Sequence, residues 1–238
     1  MNTPETTSPI DPTQPPLPVE PPFSSDFGSI LDALLKRPAQ LIGALHAARQ
    51  TKATVILAVT ALLSFAAYGL VIGSFSSGMQ LYAAPLKVAL GSTAGVLICL
   101  PSLFIFTCLS GANVTLRSLV GVMAAVLALT AILLIGFAPV SWVFSQSTES
   151  VAFMGTLHLA FWLIALGFGL RLIGLMMKMM GVESKSHLKV WTVIFVLVNL
   201  QMSTALRPIV GTSTDILPQE KKFFVAHWFD SLGGKRTR

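Results

Sequence analysis

The stretch that decides the fold is Ala53–Gly73, ATVILAVTALLSFAAYGLVIG, which carries no charge. A hydrocarbon core of about 30 Å needs about 20 helical residues to cross it. The stretch therefore reads as a transmembrane helix. Its surroundings extend that reading. From Ala53 to Leu170 the charged residues are Lys87, Arg117 and Glu149. The whole chain has 238 residues, 53% of them hydrophobic and 11% charged, with a mean hydropathy of +0.75. Soluble domains carry about 25% charged residues. A water-facing surface cannot be made from the middle of this chain, which excludes a soluble enzyme, a disulfide scaffold and a disordered protein. The fold class expected is all-α, a polytopic helical membrane protein.

Five spans are expected, at about 53–73, 88–110, 118–140, 151–170 and 190–206. The loops between them are 74–87, 111–117, 141–150 and 171–189. The fifth span is short and ends at Arg207-Pro208, as proline requires. Lys and Arg set the orientation, because they collect on the cytoplasmic side. A cytoplasmic N-terminus places Lys36, Arg37, Arg49, Lys52, Arg117, Arg171, Lys178, Lys185 and Lys189 inside, against Lys87 outside. That distribution orients the chain with its N-terminus in the cytoplasm. The net charge of +6 is then a property of the membrane flanks, and nucleic acid is not expected as a partner. The tail from 207 holds Arg207, Lys221, Lys222, Lys235, Arg236 and Arg238. Either the fifth span crosses and leaves that tail outside, or the segment is re-entrant and the tail stays in the cytoplasm. Trp142 and Trp191 lie near span ends, where interfacial anchors belong.

The ends differ from the middle. Residues 1–22 hold eight prolines, three acids and no base, a disordered tail of polyproline II character without the basic and apolar regions of a leader. Residues 23–52 form a juxtamembrane segment. Phe27, Ile30, Leu31, Leu34, Leu35, Leu41, Ile42 and Leu45 track one helix face. Pro38 should break the helix near Lys36–Arg37. Phe27, Leu31 and Leu34 beside Lys36 and Arg37 suit a helix in the headgroup plane. The alternative is a helix packed on the protein's own cytoplasmic surface. Within the 207–238 tail, a second short amphipathic helix should run from Gln219 to Leu232, with Phe224 and Trp228 one turn apart.

Candidate chemistry is sparse. No span contains Asp or Glu, and no metal, phosphate or nucleophile motif is present. An enzyme is therefore not expected, nor is a catalytic residue, a cofactor or a metal. Cys99 and Cys108 fall on opposite faces of one span and read as small hydrophobes. His158, in the fourth span, is an intramembrane ionisable group and as such a candidate for function. Its bland alternative is a neutral interhelical hydrogen bond. Asn199 and Gln201 in the fifth span are read the same way. Gly91 and Gly95 form a GxxxG pair. Ala160, Gly167 and Gly174 recur at heptad spacing, with Gly155 and Gly169 nearby. These small residues pack helices within the chain or between copies. Pro101 and Pro139 should kink or end their spans.

An amphipathic helix containing Leu35-Lys36-Arg37-Pro38, followed by five closely spaced spans, resembles the Yip1-like family of membrane proteins over about residues 24–206. The likeness is especially to bacterial members, which implies a bacterial inner (cytoplasmic) membrane, and the Asp-Leu-Tyr-Gly-Pro segment typical of eukaryotic members is absent. Its nearest counterpart is Leu81-Tyr82-Ala83-Ala84-Pro85. The segment Gln201–Pro208 with Gly211 is also similar to uncharacterised bacterial membrane proteins, and that likeness implies no activity. The function expected is a non-enzymatic scaffold or membrane-organising subunit of a larger membrane assembly. Its partners would be the lipid bilayer and other membrane subunits, including a second copy. The alternative is a small transporter or channel subunit with a polar path through His158, Asn199 and Gln201.

Overall fold

The structure, a computed structural model, describes residues 24–47, 51–76, 80–148, 150–181 and 186–205. The Pro-rich segment 1–22 and the stretch 219–232 expected to hold the second amphipathic helix, with Phe224 and Trp228, lie outside the described residues. Those residues form helices α1 (Phe27–Lys36), α2 (Pro38–Ala47), α3 (Thr51–Ser76), α4 (Gln80–Leu109), α5 (Leu116–Ser147), α6 (Val151–Met179) and α7 (Ser186–Ala205), without a strand among them. Among the described residues, four helices are long and apolar enough to cross a membrane: Thr51–Phe75, Leu81–Leu109, Leu116–Ser147 and Phe153–Met179. The chain is built as an integral membrane protein. In α7 the apolar part, Ser186–Met202, is shorter.

The helices outrun the expected spans. The 74–87 loop shrinks to the few residues between Ser76 and Gln80, and Pro85 and Lys87 lie inside α4. Lys87 is 6% exposed and so is not a loop residue. Likewise α5 runs through Pro139 to Ser147, and α6 takes in Arg171 and Lys178. The polar residues that suggested loops stay helical because their hydroxyls turn back on the helix. Ser74 Oγ donates to Val71 O at 2.7 Å, Ser145 Oγ to Trp142 O at 2.7 Å and Ser147 Oγ to Val143 O at 3.0 Å. Gly69 accommodates Pro85: a Cβ there would stand 2.5 Å from Pro85 Cα.

Helix contacts run in the order α7–α4–α3–α5–α6. The turn from α4 to α5 is tight. Gly111 takes φ +80°, its N–H reaches Cys108 O, and the Ala112 N–H reaches Thr107 O. That is a complete Schellman stop. Thr115 then caps α5, its hydroxyl accepting from Ser118 N at 3.2 Å.

The chain breaks at Arg37, immediately before Pro38. Asp32 bridges the break, 2.8 Å from Lys36 Nζ and 2.7 Å from Arg37 Nη2. Together α1 and α2 form a cap against α3, α5 and α6. Ile30, Leu34, Leu41, Ile42 and Leu45 join the core. Leu34, expected at the bilayer surface, is therefore a core residue. The bundle uses only part of the amphipathic stripe, and the start of the stripe and its edge face outward. Phe27 is 58% exposed and Leu35 53%, with the Lys36 side chain 77% exposed.

Candidate functional site

Three polar sites deserve separate description. The first joins α3, α5 and α6. Tyr68 lies eight residues before the end of α3, Ser141 six before the end of α5, and His158 seven after the start of α6. At 1.5 Å per residue these put all three about 10 Å from the same end of the bundle. Tyr68 Oη and His158 Nδ1 share a hydrogen bond of 2.8 Å, and the rings meet edge-on at 81°. Ser141 is fully buried beside them. Either tautomer leaves His158 Nε2 without a partner. His158 is thus an interhelical clasp, midway between the start of α6 and its middle. It ties α6 to α3, which otherwise meet mainly through α5.

The second site joins α4 and α7. Asn199 Nδ2 donates to Phe195 O at 2.9 Å, within its own helix. Its Oδ1 occupies the space above Gly95, where a Cβ would stand 2.5 Å away. Trp191, expected as an interfacial anchor, is instead fully buried. Its indole N–H is shared between Ser102 Oγ at 3.1 Å and Cys99 O at 3.3 Å, and its ring stacks on Phe195. Trp142, by contrast, is exposed. An indole has one donor and a large apolar surface, and α4 satisfies both. His158 and Asn199 therefore belong to opposite ends of the helix row, with α5, α3 and α4 between them. Gln201 follows Asn199 on α7, half-buried. The three polar candidates do not converge on one path.

The packing glycines divide in the same way. Gly95 receives α7, and Gly91 is buried one turn before it. Gly167 and Gly174 have nothing within 4 Å of a would-be Cβ, so the expectation that they pack helices inside the chain is corrected. The packing glycine of α6 is Gly169, whose Cβ would meet Thr130 Oγ1 at 2.5 Å and Val126 O at 2.9 Å. Residues 167 and 169 lie about 200° apart around a helix, and only one face can meet α5.

The third site was not singled out from the sequence. A cavity of about 290 Å³ lies between α2, the α4–α5 turn and the end of α6, lined by Ile42, Gly43, His46, Asn113, Met179 and Met180. Its signal in the sequence is the run Met176-Met177-Lys178-Met179-Met180, four of the nine methionines in five positions. Among the described residues, no three His, Cys, Asp or Glu side chains gather as a metal site. The carboxylates there are Asp26 and Asp32, both in or beside the cap.

Comparison of the chain with family models, curated proteins and solved structures finds no match.

Proposed function

We propose that this integral membrane protein is a non-enzymatic scaffold or membrane-organising subunit, and that its working surface is the outer face of the α1–α2 cap. One observation carries this reading. The apolar stripe of α1 is only partly covered: Ile30, Ala33 and Leu34 are buried in the bundle, while Phe27 at the start of the helix and Leu35, next to the exposed Lys36, stand exposed. A surface helix normally keeps one apolar stripe. The uncovered part of that stripe, flanked by a base, fits the headgroup plane or the face of a neighbouring subunit. The separation of His158 from Asn199 and Gln201 leaves no polar path to favour transport. The proposal includes a cytoplasmic N-terminus in a bacterial inner membrane, a fifth crossing by α7, and a Yip1-like relationship, which the cap ahead of the bundle supports in layout.

Deleting 24–50 would not test this, because Ile30, Leu34, Leu41 and Ile42 belong to the core. The discriminating variant is Phe27→Ser with Leu35→Ser. Purified from membranes in mild detergent, wild type should retain at least one membrane protein that the variant loses, with equal thermal stability. An identical set of retained proteins would remove the proposal.

A further inference from the structure

We propose that the cavity under the cap binds a soft monovalent cation, Cu(I) or Ag(I), through His46, Met179 and Met180. This goes beyond the scaffold reading and does not depend on it. It also replaces the expectation that the chain takes no metal.

The donors come from two elements that fold together only in the tertiary structure. Met179 ends α6, Met180 caps it, and His46 lies in the last turn of α2. Gly43 sets the fit. A Cβ at that position would stand 3.7 Å from Met179 Cε, so the thioether lies on the bare face of α2. His46 is three residues further along, and i,i+3 side chains share a helix face. Met180 lines the same cavity. Two thioethers and an imidazole thus border one space, closed on its third side by Asn113.

The donor set selects its ion. Thioether sulfur is a soft ligand and prefers Cu(I), while carboxylate and water suit Mg²⁺, Ca²⁺ and Mn²⁺. No carboxylate lines the cavity, so hard divalent cations find no anionic ligand there. Imidazole and thioether are neutral ligands, which suits a single positive charge beside a basic helix end holding Lys178. Methionine has three rotatable bonds, so the two thioethers can close on an ion that the open cavity admits. Met176 and Met177 do not take part, because both are fully buried in the core and neither lines the cavity. A bound ion would pin α2 to α6 and so hold the cap on the bundle.

The full chain in lipid nanodiscs, labelled with ¹³C at methionine ε-methyls, is titrated with Ag(I). The Met179 and Met180 methyls should shift together and saturate, while Met123, buried in the core, stays in place. Zn(II) should move neither. Met179→Leu with Met180→Leu keeps the volume and should lower Ag(I) stoichiometry by one per chain, leaving whatever Cys99 and Cys108 hold. His46→Asn should weaken binding at least about tenfold. If Ag(I) moves neither methyl, or the double leucine variant keeps its full stoichiometry, the methionines only fill the gap between α2 and α6, and the proposal is wrong. The methyl shifts in wild type decide the matter even if the variant does not fold.

Discussion

Asn199 on α7 occupies the space that any side chain on Gly95 of α4 would need: a Cβ there would stand 2.5 Å from Asn199 Oδ1 and 3.0 Å from Nδ2. The amide is held in place by its bond to Phe195 O. Gly95→Ala should therefore cost about 1–3 kcal/mol, the usual penalty of overpacking. Adding Asn199→Ala should recover part of it. Thermal unfolding in detergent measures both. A Gly95→Ala protein as stable as wild type would mean that α7 does not pack here.

Helix α6 offers an internal comparison. Gly169→Ala would push a methyl against Val126 O, a backbone atom that cannot rotate away, and should destabilise the α5–α6 contact by about 1–3 kcal/mol. Gly167→Ala meets open space and should be neutral or stabilising by up to about 1 kcal/mol, because alanine is the better helix former. Equal effects at the two positions would contradict the rotation of α6 about its axis.

The Tyr68–His158 clasp is testable by a double-mutant cycle. Tyr68→Phe removes the phenol and leaves both imidazole nitrogens without partners. His158→Leu removes the ring. Interhelical hydrogen bonds in membranes couple by about 0.5–2 kcal/mol, and losing both partners costs less than stranding one. The double variant should thus be more stable than the sum of the singles implies. Strict additivity would show that the two side chains do not interact.

The cap hinge should respond to pH. Hydrogen bonds from Lys36 and then Arg37 hold the Asp32 carboxyl below its ordinary 3.8. A lowered carboxylate contributes stability above its unfolded value, and loses it as pH falls through the lower folded value. The pair is exposed, so the effect is small and local. At pH 7, Asp32→Asn should speed hydrogen exchange of the amides at 37 and 39–41. That difference from wild type should vanish well below pH 3.8. A difference that persists there would assign the effect to something other than the ion pair.

Parts of this structure are legible in the sequence for plain reasons. Ala53–Gly73 has no charge to keep in water, and Pro38 cannot continue a helix. The helix ends are less legible, because Ser74, Ser145 and Ser147 look like loop residues until their hydroxyls are seen to bond their own helix. Leu34 and Leu35 are adjacent on the amphipathic stripe, yet one is core and the other exposed. Local pattern shows that a stripe must be covered, not by what. Trp191 sits where an anchor would, but its partners Ser102 and Cys99 are about 90 residues earlier in the chain. Gly167 and Gly169 differ only in which side of α6 meets α5. The Met179–Met180 pair is indistinguishable from core filler until α2 brings His46 and Gly43 against it.

The central claim is a bundle that crosses the membrane with its cap in the cytoplasm and α7 as a fifth crossing. Single cysteines at Ser77, Ser147, Ser184 and Ser213, in a chain lacking Cys99 and Cys108, test it with an impermeant maleimide on intact cells. The account predicts labelling at 77, 147 and 213 and protection at 184. Labelling at 184 with protection at 77 and 147 would invert the molecule, and protection at 213 with labelling at 147 would show that α7 does not cross.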